Sequence, residues 1–277
     1  MAADSAFSSF EQEWLDAHPE YAIASVFLPP AARQAANAFG CLVEALDAAA
    51  QLRDPQVAAA KVTWWQGELA AASRGRASHP VTRALFAQEL AEAGEPDLWL
   101  ALADATPQQA AARAGSTLAD ALAWHARFHR AAARIDAALQ RRSDADIDCD
   151  ATLWTISFLL GQLVRLGGED EHLPLPLDLL ARHGLTRAQL SSASDRRSAL
   201  LRDYLDALAG AMQRALAGPR AGGLYRRVRT RLDVALIVAA RAAPDPLARI
   251  RDRPAPGRWT SLWAAWREAR ALTRDTR

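Results

Sequence analysis

The sequence predicts an all-α protein, folded as a single domain in which antiparallel helices form one bundle. Its 277 residues include 65 alanines but only 15 valines and isoleucines together, a balance that favours helix over sheet. Large apolar side chains recur at spacings of three and four residues, which is the period of one helical face. Because the chain contains neither a repeat of fixed period nor a long linker, one domain is the simplest organisation.

The first half of the chain predicts a helix over 31–52, a second over about 55–73 and a third that follows His79-Pro80. Prolines limit both ends of the first of these helices, because a proline and the residue before it disfavour helix continuation. Its apolar face is formed by Phe39, Leu42, Val43 and Leu46.

The second half predicts a long helix that begins at Ser116 or Thr117 and runs to about Arg141. Either residue can cap the helix, and Asp120 lies in the first turn, where the helix dipole favours an acid. The polar run 142–150 is predicted to be a loop. Further helices are expected at about 151–166, 177–183, 195–217, 222–243 and 259–274.

Composition excludes several classes of protein. With 33 basic and 32 acidic residues the net charge is +1, so no overall field favours nucleic acid as a partner. Two cysteines, Cys41 and Cys149, are too few for a disulfide framework and lack zinc-ligand spacing, which indicates a reduced, cytoplasmic setting. The N-terminus lacks the basic and apolar regions of a signal peptide, and the stretch 151–164 is shorter than the roughly 20 residues that span a bilayer. We therefore expect neither a secreted nor a transmembrane protein.

A cluster of arginines, YRRVRTR at 225–231, has two interpretations. It can lie on an anionic membrane surface, where each basic group contributes about 1 kcal/mol, which would give the protein a peripheral contact with the inner membrane. The more frequent arrangement for such a run is a solvated helix face.

Several stretches, in order, resemble the squalene/phytoene synthase family of head-to-head prenyl-diphosphate synthases. The most specific has a basic residue, a tryptophan pair, Glu-Leu, Gly-Arg and then His-Pro, and the resemblance extends over about residues 20–272. The stretches are SVFLPPAARQAANAF (25–39), KVTWWQGELAAASRGRASHPVTRAL (61–85), LPLDLLARHGL (175–185) and PLARIRDRPAPGRWTSLWAAWREARAL (246–272).

The resemblance implies an isoprenoid (terpenoid) synthase fold with a central cavity. It places the helical domain at 21–277, after an N-terminal segment at 1–20. In the family, magnesium ions held by two aspartate-rich motifs on facing helices grip a prenyl diphosphate. The residues that the resemblance suggests for substrate binding are Arg33, Lys61, Arg76, Gln162 and Arg165.

The first aspartate-rich motif is reduced. Counting from Phe39, the family has an arginine two residues on and aspartates at five and nine, where this chain has Cys41, Glu44 and Ala48. Asp47 lies three residues beyond Glu44, on the same helical side, so the two carboxylates form either a partial magnesium site or a solvated acidic face.

The second motif is reduced further. Counting on from Gln162 places Glu169 where the first aspartate would fall, and Asp170 follows it. The chain is several residues too short before LPLDLL to hold the second aspartate. These acids are interpreted as remnant metal ligands or as ordinary loop residues.

Two functions follow from this resemblance. In the first, the fold is kept and catalysis is lost, which leaves a protein that binds an isoprenoid, a lipid or a protein partner and needs no cofactor. The family's phytoene-synthase-like assembly factors of respiratory complex I form a branch of this kind. In the second, the protein is an active, Mg²⁺-dependent prenyltransferase acting through Glu44, Asp47, Glu169 and Asp170. No residue is assigned a catalytic role.

The remaining polar candidates have structural interpretations as well. Lys61 either faces a diphosphate pocket or pairs with a carboxylate such as Glu68 or Glu44. The indoles of Trp64 and Trp65 are interpreted as core. His125 and His129 are four residues apart but lack the glutamate of a metalloprotease helix, so we expect them at the surface. The expected cavity lining is Phe39, Val43, Leu46, Trp154, Phe158 and Leu159.

Overall fold

A computed structural model describes most of the chain and consists, in this part, of α-helices and short 3₁₀ turns without β-strands. The all-α prediction is therefore confirmed. The described residues are 2–87, 96–110, 115–142, 146–167, 175–217, 222–252 and 258–275.

The first half of the described chain begins with two helices that precede the predicted ones. Two of the later helices have side-chain caps: the Asp54 carboxylate accepts from the backbone N–H groups of Gln56 and Val57, and His79 accepts from that of Val81. The helices are α1 (Ala2–Ala17), α2 (Pro19–Ala24), α3 (Pro30–Ala50), α4 (Pro55–Ala72), α5 (Pro80–Phe86) and α6 (Pro96–Ala110).

The second half begins with the predicted long helix, which starts at a reciprocal capping box between Thr117 and Asp120. Short 3₁₀ turns lie at Ser25–Phe27, Leu163–Arg165 and Ala188–Ser191. The helices are α7 (Leu118–Leu139), α8 (Ile147–Gln162), α9 (Leu177–His183), α10 (Asp195–Leu216), α11 (Leu224–Ala242), α12 (Pro246–Arg251) and α13 (Arg258–Asp275).

The predicted loop at 142–150 is wrong at its C-terminal end. The side chain of Asp146 accepts a hydrogen bond from the backbone N–H of Cys149, and α8 begins at Ile147. Acids in this run therefore start a helix, which is the position that the helix dipole favours for them.

Two large apolar clusters form the interior. One joins α1, α3, α4, α5, α6 and α7, and includes Trp14, Phe39, Leu42, Leu46, Trp65, Leu69, Trp99 and Phe128. The other joins α8, α9, α10, α11 and α12, and includes Ile156, Leu160, Leu179, Leu201, Tyr204, Leu208 and Ile237.

Helices α3 and α8 lie between these clusters and run in the same direction. The rings of Phe39 and Trp154 are 6.2 Å apart, and near the C-terminal ends Gln162 donates to Gln51 at 2.7 Å. Helix α7 runs antiparallel to α8, since His129 meets Thr155 and, further along α7, Asp136 lies near the start of α8.

Helix α1 packs against α3 through an indole. A Cβ added to Gly40 would lie 2.3 Å from the Trp14 ring, so only glycine allows this close approach. The N-terminal segment set apart at 1–20 thus contributes Phe7 and Trp14 to the core. In the described part of the chain, no helix is long and apolar enough to cross a membrane.

Candidate functional site

A cavity of about 260 Å³ lies between α3, α7, α8 and α11 and is covered by α1 and α2. Along α3 its lining extends from Ala32 to Asp47, a distance of roughly 22 Å at the rise of an α-helix. Apolar and aromatic side chains dominate the lining: Trp14, Tyr21, Leu28, Phe39, Val43, Trp154, Phe158, Leu224 and Tyr225.

Four of the six expected lining residues contact the cavity and two do not. Phe39, Val43 and Trp154 line it, as does Phe158, whereas Leu46 and Leu159 are buried in the two apolar clusters. Helical period explains the difference, because Leu46 lies on the side of α3 that packs against the first cluster.

The carboxylates of the reduced first motif are at one end of the cavity. Glu44 and Asp47 both contribute to the lining, as their spacing predicted. Glu44 is engaged by a side chain that the sequence did not indicate: Nε2 of His18 lies 2.9 Å from the Glu44 carboxylate, and Nδ1 lies 3.8 Å from that of Glu20.

The His18 ring is therefore held as a cation. Burial alone lowers its pKa, but the hydrogen bonds and negative charges of Glu20 and Glu44 outweigh burial and raise the pKa from 6.5 to about 9. A protonated imidazole thus lies against one oxygen of the Glu44 carboxylate.

A second cationic group lies on α11. The Arg226 side chain is buried, its guanidinium lies 4.4 Å above the Trp154 ring, and Nη1 donates to the Ser157 hydroxyl at 2.8 Å. Arg229, one turn on, pairs with Asp233 at 3.0 Å and with Glu20 at 3.3 Å. The cluster 225–231, expected on a solvated or membrane-facing surface, instead points these two arginines into the protein.

Acidic groups balance these cations. The lining also contains three cations, His18, Arg226 and Arg229, and three carboxylates, those of Glu44, Asp47 and Asp136. Glu20 contacts His18 and Arg229, and Asp233 contacts Arg229. Burial raises the pKa of Asp136 above its ordinary value, although Arg142 opposes the shift. The cavity is thus close to charge compensation within the protein itself.

The prediction that His125 and His129 lie at the surface is wrong. Both side chains are buried, and His129 lines the cavity. Burial lowers the pKa of His125 to about 4 and that of His129 well below its ordinary value, so both rings are neutral. Nδ1 of His129 is 2.9 Å from the Thr155 hydroxyl, which fixes the ring.

Three of the residues suggested for substrate binding lie away from the central cavity. Arg33 lines a separate, more polar cavity of about 580 Å³ between α1, α3 and α5. Lys61 is exposed on α4, and Arg76 is exposed in the turn that follows α4. Among the described residues no ion pair joins Lys61 to Glu44 or Glu68, and these carboxylates contact His18 and Ser78, respectively.

The other two suggested residues join the ends of α3 and α8. Gln162 donates to Gln51 at 2.7 Å, and Arg165 donates to the same oxygen at 2.5 Å. The remaining metal-ligand candidates, Glu169 and Asp170, lie outside the described residues.

In the most specific stretch of the resemblance, 61–85, Glu68 has a structural role. The Glu68 carboxylate accepts from the backbone N–H groups of Ser78 and His79 at 2.8 Å and from the hydroxyls of Ser78 and Thr82. Burial alone raises the pKa of Glu68, but these hydrogen bonds outweigh it and lower the pKa to about 2. Of the tryptophan pair beside it, Trp65 is core, as expected, while Trp64 is 49% exposed, contrary to expectation.

The magnesium cluster of the family depends on carboxylate ligands. Hard Mg²⁺ needs several oxygen ligands in near-octahedral positions. Among the described residues, no three histidine, cysteine, aspartate or glutamate side chains are grouped so that they could hold a metal ion. Within that part of the chain the residues do not fit such a cluster.

Two charged residues that line the cavity, His18 and Arg226, were not predicted from the sequence. Their positions gave little signal, because His18 precedes a proline in an unremarkable segment and Arg226 is one of several neighbouring arginines. The alternation of buried and half-exposed residues through 224–230 can be read only once α11 is placed.

The fold and site define a helical protein of the isoprenoid-synthase type, with a cavity in place of a packed centre. The family model for squalene/phytoene synthase matches residues 16–267, so the chain belongs to the squalene/phytoene synthase family. This confirms the resemblance but does not assign the chain to the complex I assembly-factor branch.

Solved structures agree on the fold. A dehydrosqualene synthase in complex with a ligand is similar with a TM-score of 0.72 and 13% identity, covering 99% of this chain and 98% of that one. The squalene synthase HpnC from Alicyclobacillus acidocaldarius is similar with a TM-score of 0.58 and 16% identity, covering 97% and 96%. Comparison with curated proteins found no match.

Proposed function

We propose that this protein is a non-catalytic member of its family that binds one neutral isoprenoid in the cavity between α3, α7, α8 and α11. The observation that carries the proposal is the contact of 2.9 Å between His18 and Glu44. Because the protonated imidazole neutralises the surviving carboxylate of the first motif, the protein itself supplies the charge that a metal ion would bring.

The charges of the cavity disfavour a diphosphate. Of the three lining cations, His18 and Arg229 contact carboxylates of the protein, and Arg226 lies against Trp154 and Ser157. Asp47 and Asp136 add further negative charge to the lining. Without a bridging metal, a diphosphate would be repelled by these carboxylates and would have to break existing ion pairs. Loss of such electrostatic stabilisation costs several kcal/mol of barrier, enough to abolish turnover.

Size and lining favour a single apolar chain. The volume of about 260 Å³ is just below the range of roughly 300–1,000 Å³ for ordinary ligand pockets, so it suits one prenyl chain better than the two that a condensation requires. Neutral His129 supplies a hydrogen-bonding nitrogen among aromatic walls, which suits an uncharged oxygen such as an alcohol or a quinone carbonyl.

The direct test is native mass spectrometry of the protein purified from its own cells. We expect a bound isoprenoid without diphosphate, and we expect Ala36→Phe, which fills the cavity, to remove it. Ala48→Phe is the matched control, since Ala48 lies on the same helix but is exposed. Wild-type protein that carries no ligand and fails to bind farnesol would contradict isoprenoid binding.

A second assay tests the absence of catalysis. With Mg²⁺ and farnesyl or geranylgeranyl diphosphate, we expect no release of inorganic diphosphate above background while a control synthase turns over. Release that depends on protein and is lost in Glu44→Gln would establish the alternative, an active prenyltransferase.

A further inference from the structure

Helix α13 does not follow the usual arrangement of a surface helix, in which the large apolar side chains are buried. Its buried residues are small, with Ser261, Ala264 and Ala265 each at most 2% exposed. Its large apolar residues face outward: Trp259 is 83% exposed, Trp263 53% and Trp266 42%, and Leu262 is 37% exposed. A helix that buries alanine and displays tryptophan leaves apolar area that folding of this chain does not cover.

These side chains form one surface. Positions 259, 262, 263 and 266 follow the spacing of a single helical face, and together with Phe27 they line a shallow groove. Val26, beside Phe27, is 63% exposed. We call this set (Trp259, Leu262, Trp263, Trp266 and Phe27) the aromatic face.

Positive charge borders the aromatic face. The guanidinium of Arg267 lies 4.5 Å from the Trp263 ring centre, and that of Arg270 lies 4.9 Å from the Trp266 ring centre. Both arginines are exposed, whereas Glu268 between them is directed to Arg231 at 2.7 Å. The border of the surface is therefore cationic where its centre is aromatic.

We propose that the aromatic face docks on the surface of an anionic phospholipid bilayer. Indole rings combine a large apolar area with one polar N–H, and tryptophan is for that reason enriched at the membrane–water interface. Guanidinium groups attract anionic head groups, and each one near the membrane surface strengthens binding to the bilayer by about fivefold.

Two further observations favour a bilayer over a second protein chain. Five large side chains are few beside the 20–30 residues that each side of a stable protein interface usually contributes. Phe27 of the aromatic face is followed in the chain by Leu28, which lines the central cavity, so a docked bilayer would lie beside an apolar cavity. The docking proposal does not depend on what the cavity binds.

The experiment is flotation of the full chain with vesicles of phosphatidylcholine alone or mixed with phosphatidylglycerol. We expect the wild type to float with the mixed vesicles and the triple variant Trp259→Ala, Trp263→Ala, Trp266→Ala to bind them at least roughly tenfold more weakly. The double variant Trp64→Ala, Trp124→Ala is the matched control, because both indoles are 49% exposed on other helices. It should bind as the wild type does.

The charge contribution is tested separately. Arg267→Gln with Arg270→Gln should weaken binding to the mixed vesicles by about fivefold per guanidinium, and Arg127→Gln with Arg134→Gln, two exposed positions on α7, should not. Circular dichroism checks folding, and if the triple variant does not fold, Trp259→Ala alone should still weaken binding by at least about threefold.

Three results would overturn the proposal. The wild type fails to float with the mixed vesicles, or the tryptophan variants bind as tightly as the wild type. The third is that light scattering shows a dimer for the wild type and a monomer for the triple variant, while neither protein binds vesicles. That result would assign the aromatic face to a second copy of the chain.

Discussion

His18 lies between two carboxylates, with Nε2 2.9 Å from Glu44 and Nδ1 3.8 Å from Glu20. This geometry links α2 to α3, since Glu44 is on α3, Glu20 lies in the first turn of α2 and His18 directly precedes α2. Glu20 in turn pairs with Arg229 on α11. One imidazolium therefore connects the cover of the cavity to its wall, and its charge state should be visible in the stability of the whole chain.

Stability should fall as pH rises from about 6.5 to 9. The pKa of His18 is about 9 in the folded protein against 6.5 ordinarily, so the folded state binds the proton more tightly. The contribution is fully present below 6.5 and is lost as pH rises through 9. Allowing for screening at half-exposed Glu44, we expect it to be on the order of 2 kcal/mol.

Urea unfolding at several pH values measures this contribution. His18→Gln should flatten the pH dependence across that window. His183→Gln is the control, since it removes an imidazole from a pair with Asp203 at the same 2.9 Å, whereas His18 contacts a second carboxylate, Glu20, as well. A wild-type midpoint that does not change between pH 6.5 and 9 would contradict the role assigned to His18.

Glu68 acts at the scale of an element, because it fixes the connection from α4 to α5. Its carboxylate accepts hydrogen bonds from Ser78, His79 and Thr82, which together form the start of α5. We expect Glu68→Gln to destabilise the protein by about 2 kcal/mol, since an amide cannot accept all of these bonds. Glu13→Gln, at an exposed position on α1, should change stability little.

The contribution of Glu68 to stability changes with pH in the opposite direction to that of His18. With the pKa of Glu68 lowered from 4.5 to about 2, its contribution is present above 4.5 and is lost as pH falls towards 2. Thermal unfolding of both proteins at pH 7 and pH 3 should show the difference between them shrinking in acid. An equal difference at both values would mean that the carboxylate charge is irrelevant.

Sequence predicts helices best where proline and capping residues mark their ends. Asp54-Pro55, His79-Pro80 and Thr117 all begin helices at the expected places. Helix α1 was missed although Phe7 and Trp14, seven residues apart, share one face, because its polar residues resemble those of a tail. Helix α6 was missed because Pro107 lies inside it.

At the scale of the whole molecule, the burial of charged side chains could not be predicted in the same way. The aspartate-rich motifs are local patterns, so the reduction to Glu44 and Asp47 is legible in the sequence. Burial of Arg226 and Arg229 depends on partners that arrive from distant positions, Ser157 on α8 and Glu20 on α2. Taken alone, a run of arginines is typical of a solvated helix face, and only the packing of the bundle buries two of them.

The charge compensation of the cavity predicts a weak response to magnesium and diphosphate together. Binding at 100 times the dissociation constant would stabilise the folded state by about 2.7 kcal/mol, which corresponds to roughly 5–10 °C in melting temperature for a domain of this size. We expect a shift below about 1 °C with Mg²⁺ and either inorganic or farnesyl diphosphate. The double variant His18→Ala, Ala48→Asp removes the imidazolium and puts carboxylates at positions 44 and 48, one helical turn apart, so its shift should exceed that of the wild type. A wild-type shift of several degrees that requires both ligands would instead mean that carboxylates beyond the described residues complete a magnesium site.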